Sequence, residues 1–208
     1  RPTEGYGTKA APPRVVAAKG DRMVISADCG IKAVSFARKA AALGVGLIIT
    51  DHHRPGDELP AASAILNPVL ADSGYPFRGL AGVGVVFKLL QALLTKAGRV
   101  AALPSYAKLV AIGTIADVAE LRGENRLLVK EGLRGPGKVA NRGLKKLIEE
   151  CRLAGRKITE GDVGFRIGPR LNAAGRMGAA DEAVRLFFTD SDEESAGLAA
   201  RLSGFNTS

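Results

Sequence analysis

Met23-Val24-Ile25-Ser26-Ala27 is a short, mostly apolar run that stops at Asp28-Cys29-Gly30, the pattern of a buried strand closed by a turn. Through residues 31–43 (IKAVSFARKAAAL) apolar positions recur at helical spacing among good helix formers, and Gly44 supplies the stop. Val45-Gly46-Leu47-Ile48-Ile49-Thr50 reads as a second buried strand, ending at Asp51-His52-His53, and a third short strand is predicted over 63–66, before Asn67-Pro68. Strand, helix and strand with short links form a βαβ unit, whose strands run parallel. Residues 8–22, rich in Pro, Ala and Lys, read as a loop or weak helix. Beyond residue 70 the period becomes helical, over 82–97, 105–117, 125–134, 141–153, 159–174, 179–188 and 191–206. The expected fold class is therefore α/β: a parallel sheet of βαβ units within residues 1–70, then a helical portion over 71–208.

Composition narrows the functional classes. The 208 residues are 46% hydrophobic and 25% charged, which excludes a disordered tail, a collagen and a disulfide framework. A formal net charge of +9 points to polyanionic partners, nucleic acid first. A membrane surface is the weaker reading, because no Lys/Arg-rich amphipathic helix is found and no apolar run approaches the roughly 20 residues of a membrane span. The charge is uneven: residues 120–170 hold thirteen Lys/Arg against seven Asp/Glu. That stretch is either a solvated face or a surface that tracks phosphates. Cys29 and Cys151 stand far apart and read as free thiols of a reducing cytosol, and the lack of a CxxC pair argues against structural zinc.

The chemistry concentrates at the strand ends, where open α/β sheets bind ligands. One predicted strand ends at Asp28 and the next at Asp51-His52-His53, which carries both histidines of the chain. Adjacent parallel strands lie about 5 Å apart, so a carboxylate from one and an imidazole from the other can share an ion. Asp117, after the apolar run Gly113-Thr114-Ile115-Ala116, is either a third metal carboxylate or a turn residue facing solvent. Carboxylate and imidazole without thiolate suit Mn²⁺ or Mg²⁺, ions that in pairs promote phosphoester hydrolysis. Three or four ligands are fewer than the five or six that two ions need. Gly79, Gly82 and Gly84 mark either close helix packing or an anion at a helix start. Gly and Pro within 165–178 predict a helix break that presents Arg166, Arg170, Asn172 and Arg176, and the planar fork of Arg suits phosphate.

Asp51-His52-His53 is the triplet that names the DHH phosphoesterases, which the chain resembles. Within them it is similar to the bacterial single-strand-specific 5′→3′ DNA exonucleases, through RPTEGYG (1–7), DCGI (28–31), TDHH (50–53), ILNP (65–68), LAGVGVVFKLL (80–90), AIGTIADVAEL (111–121), NRLLVKEGL (125–133) and FRIGPRLNAAGRMG (165–178). The resemblance implies metal ligation by Asp28, His52 and Asp117, with Asp28 bridging two ions. It places His53 at the scissile phosphate, Asp51 as orienter of the histidines, and Arg1 near a 5′ phosphate. Arg170, Asn172 and Arg176 are the helical-side substrate contacts expected. The family's first motif, Asp-x-Asp-Ala-Asp-Gly, would precede Arg1, and a second domain with a Gly-Gly-His motif would follow Ser208. The chain is thus expected to be a fragment of a DHH domain that binds metal weakly and cleaves DNA poorly by itself. For the complete enzyme the resemblance implies a cytoplasmic monomer that acts on single-stranded DNA in repair and recombination. A single-stranded-DNA-binding protein and a helicase are the protein partners it implies. Two other activities fit the motifs: a DHH phosphoesterase acting on short oligoribonucleotides, cyclic dinucleotides or phosphomonoesters, and a non-catalytic nucleic-acid-binding module.

Overall fold

The computed structural model describes residues 20–134 and 139–206, so the loop or weak helix expected over 8–22 lies almost wholly outside the described residues. The described residues form two compact units. One comprises residues 20–99 with Gly123–Asn125, and the other residues 100–122 with those from Arg126 onward.

The first unit is built on a parallel sheet of β1 (Met23–Ala27), β2 (Gly46–Thr50) and β3 (Ala64–Leu66), in that order. Met23 pairs with Gly46 and Ala27 with Thr50, while Ile48 pairs with Ala64 and Thr50 with Leu66. The α/β class and parallel topology read from the sequence are what the chain adopts. Helix α1 (Val34–Ala42) connects β1 to β2 and buries Phe36, Ala37 and Ala40 against Val45, Leu47 and Ile49. It begins three residues later than its apolar pattern predicts. The Ile31 N–H donates to Asp51 Oδ2 at 2.9 Å and Gly30 takes a φ of +114°, so residues 31 and 32 form a turn. β1 also differs from the fully buried strand expected: Met23 and Ile25 are each 55% exposed. Its side chains alternate, and among the described residues β2 is its single strand neighbour, so it is an edge strand with one face exposed.

Helix α2 (Gly82–Lys96) packs on β1 and β2. The compact units therefore divide after Arg99, whereas the sequence pattern changes after residue 70.

The second unit is helical. A 3₁₀ stretch (Val100–Tyr106) containing Pro104 leads into α3 (Ala107–Ala116), so the helix expected from 105 takes its α form only from 107. Helix α4 (Gly123–Gly132) starts with a turn that belongs to the sheet unit, and its remainder to this one. Then follow α5 (Arg142–Glu150), α6 (Glu160–Asp162), a π-helical turn (Val163–Ile167), α7 (Gly168–Arg176), α8 (Ala180–Phe188) and α9 (Asp192–Phe205). The break expected within 165–178 is instead this π turn, and Pro169 sits in the first turn of α7, where its missing N–H costs nothing. Leu144, Leu147, Val163, Ile167, Leu186, Leu198 and Leu202 fill the core. Helix α5 reaches α8 closely because position 143 is glycine: a Cβ there would lie 2.6 Å from the carbonyl carbon of Leu186. Among the described residues no helix is long and apolar enough to cross a membrane.

Candidate metal centre

The strand register brings the expected site together. Ala27 and Thr50 are partners at the carboxyl ends of β1 and β2, so Asp28 and Asp51 leave the sheet side by side. The ladder continues one step beyond each strand: the Asp28 N–H donates to Thr50 O at 2.9 Å and the Asp51 N–H to Leu66 O at 3.1 Å. The turn after β1 is tied back by Ser26 Oγ donating to Cys29 O and Thr50 Oγ1 donating to Ser26 O, at 2.7 and 2.6 Å. Asp28 itself adopts φ +59°, a left-handed conformation that Asp tolerates better than most side chains.

Asp51 is the pivot. Its carboxylate is buried and accepts from Ile31 N–H at 2.9 Å, His52 N–H at 2.8 Å, His53 N–H at 3.1 Å and His53 Nδ1 at 2.7 Å. Burial pushes its pKa up, but those hydrogen bonds outweigh burial and hold the carboxyl below its ordinary range. This anionic partner on Nδ1 fixes the orientation of the His53 ring and leaves Nε2, on the far side of the ring, free of the carboxylate. Asn67, itself buried, fixes the backbone of the triplet by donating to His53 O at 2.9 Å.

His52 Nε2 lies 3.0 Å from Asp28 Oδ1, and the two imidazoles meet edge to face with centroids 4.5 Å apart. Asp28, His52 and His53 each offer one ligand atom, all within 4.8 Å of one another. One carboxylate and two imidazoles at that spacing fit a divalent cation of the Mn²⁺ or Mg²⁺ type. Cys29 is not in that group of ligand atoms, and burial, and then the charges of Asp51 and Asp28, raise its pKa. Cys29 and Cys151 are both free.

The other expected site residues belong to the helical unit or lie outside the described residues. Asp117 caps the C-terminus of α3 in the helical unit, is exposed, and precedes Val118, which is 88% exposed with φ +58°. A left-handed β-branched residue is an outlier that clusters at functional positions. Asn172 and Arg176 line an open groove of about 800 Å³ in the helical unit, with Val118, Phe165, Pro169 and Met177. Arg170 is committed within that unit: Nε donates to Ser203 Oγ at 3.0 Å and Nη1 to Arg166 O at 2.7 Å. Arg1 lies outside the described residues.

The sequence reading missed two residues of the site. Asn67 lies in the ILNP segment (65–68) that carries the resemblance, but nothing in that segment marks it as a support of the His53 backbone. The glycine pattern predicts helix packing or an anion cradle at Gly82, yet its missing side chain is what clears space for Asp28. A Cβ at 82 would overlap Asp28 Oδ1 and lie 2.6 Å from Cγ.

A family model described as the DHH family, N-terminal domain, matches residues 5–114. The single-stranded-DNA-specific exonuclease RecJ of Bacillus subtilis (strain 168) is 44% identical over 207 residues, covering 98% of this chain and 25% of that protein. The RecJ of Escherichia coli (strain K12) is 39% identical over 214 residues, again over 98% of this chain and 37% of the relative. A crystal structure of exonuclease RecJ bound to manganese superposes with a TM-score of 0.86 at 38% identity, covering all of this chain and 52% of the other. RecJ from Thermus thermophilus in complex with Mn²⁺ gives a TM-score of 0.82 at 38% identity, over 94% of this chain and 30% of that one. The chain thus spans about a quarter to two-fifths of the length of these curated relatives.

Proposed function

The chain belongs to the DHH family, and on that premise we propose that it is part of a metal-dependent nuclease that hydrolyses single-stranded DNA from the 5′ end, as its RecJ relatives are named for acting on single strands. The observation that carries this reading is the Asp28–His52–His53 cluster braced by the buried Asp51. Asp28 and His52 would hold Mn²⁺ or Mg²⁺, with Asp117 as a further ligand in the complete enzyme. The bound ions would supply charge to the phosphate oxygens and lower the pKa of the attacking water.

The chain's own residues have the remaining roles. His53, its Nδ1 held by Asp51, turns Nε2 toward the scissile phosphate, where an N–H on Nε2 would donate to the phosphoryl oxygens and stabilise the charge that develops there. Asp51 fixes the orientation of the ring. Asn172 and Arg176 contact the strand from the helical unit, and Arg1 lies near the 5′ phosphate. We assign Arg170 to the same surface, in a positioning role through its bonds to Ser203 and Arg166. The basic residues of 120–170 carry backbone phosphates, which makes binding salt-dependent. The protein is expected to work in the cytoplasm as a monomer, in repair and recombination, beside a single-stranded-DNA-binding protein and a helicase.

Competition in the full-length protein tests the substrate class. Long 5′-phosphorylated single strands should be cleaved in preference to duplex and to dinucleotides. Preference for the dinucleotide would assign the enzyme to the small-oligonucleotide phosphoesterases instead.

A further inference from the structure

The first turn of α4 binds the segment that leads into Gly82, the residue packed against Asp28. Asn125 is completely buried. Its Oδ1 accepts the Ala81 N–H at 3.1 Å, and its Nδ2 donates to Gly79 O at 2.7 Å, across 44 and 46 residues of chain. Ala81 is the N-cap of α2 and has no side-chain cap of its own, so the amide of Asn125 fixes the turn that starts this helix. Gly82 comes next, and it is the residue packed against the Asp28 carboxylate.

The other two residues of the turn hold it in place. Glu124 accepts from Tyr75 Oη and pairs with Lys88 Nζ of α2, both at 2.5 Å. Gly123 takes φ +50°, and a Cβ there would lie 2.6 Å from the Phe77 ring.

We propose that Asn125 is a positioning residue for Asp28: by clamping Gly79 and Ala81 it sets Gly82 against the carboxylate and keeps Oδ1 turned toward His52 Nε2. The proposal rests on the metal reading of the cluster. Partners that hold ligands in place typically change metal affinity by about 10- to 100-fold when removed. A loss confined to metal affinity separates this role from ordinary packing.

The test is Mn²⁺ binding to the full-length protein by calorimetry, without substrate, beside metal-free thermal melts. Asn125→Ala should weaken Mn²⁺ about 10- to 100-fold, and Gly82→Ala should do the same by displacing Asp28 directly. The Mn²⁺ concentration giving half-maximal cleavage should rise in parallel, while kcat at saturating Mn²⁺ recovers. Gly143→Ala, which perturbs packing in the helical unit, should leave Mn²⁺ affinity unchanged. If Asn125→Ala does not fold, Asn125→Asp, which retains an acceptor for the Ala81 N–H, takes its place. A folded Asn125 variant that binds Mn²⁺ like the wild type overturns the proposal. A wild-type protein that takes up no Mn²⁺ overturns the metal reading itself, and the proposal with it.

Discussion

His53 Nδ1 stands 2.7 Å from Oδ1 of Asp51, a carboxylate that is buried and already holds three backbone N–H groups. The imidazole is therefore oriented by a group that cannot itself reach substrate. Asp51→Asn keeps the shape but removes the charge that holds Nδ1. We expect kcat of the full-length enzyme to fall and metal affinity to weaken by about 10- to 100-fold. Single-stranded-DNA affinity, measured in chelator, should stay the same as that of the wild type. Unchanged cleavage would show that Asp51 has no part in setting the ring.

Helix packing makes a separate prediction. Gly143→Ala drives a methyl into the backbone of Leu186 where α5 meets α8. Overpacking of this kind costs about 1–3 kcal/mol. Chemical denaturation of the full-length protein should show that loss, with Mn²⁺ affinity intact.

The capping box at the start of α6 predicts a pH effect. Hydrogen bonds from Thr159 N–H and Oγ1 hold the Asp162 carboxyl below its ordinary value. Because the folded pKa is depressed, the stabilisation is present above the ordinary carboxylate range and is lost as pH falls through the lowered value. Thr159→Ala should cost about 1 kcal/mol at neutral pH. The variant's deficit should shrink on acidification, as followed by melts across a pH series.

Arg176 faces the open groove and makes no ion pair within 4 Å among the described residues. If it contacts a backbone phosphate, Arg176→Ala should weaken single-stranded DNA about equally for all sequences. The slope of log affinity against log salt should drop by about 1. A sequence-dependent loss would mean that Arg176 reads bases.

What was legible in the sequence follows from range. The βαβ unit and the two strand-end motifs are local patterns, and β1 pairing in register with β2 was enough to bring Asp28 beside His52. Glycine and proline within 165–178 predict a break because they disfavour a helix interior, and the chain forms a π turn there instead. Tertiary packing of Val163 and Ile167 in the core carries the chain through. Gly82 and Asn125 were missed as site residues for a different reason. Their meaning lies in contacts with Asp28 and Ala81 far away in sequence, and no short pattern encodes a cleared volume or a long-range clamp.

In the proposed function Asp28 and His52 would hold the ion that promotes cleavage of DNA. The direct measurement takes full-length protein with His52→Ala, and separately Asp28→Ala, and scores 5′-phosphorylated single-strand cleavage in Mn²⁺ beside DNA binding in chelator. Both variants should lose cleavage and Mn²⁺ uptake while binding DNA as the wild type does. Cleavage at the wild-type rate by either folded variant would contradict the proposed function.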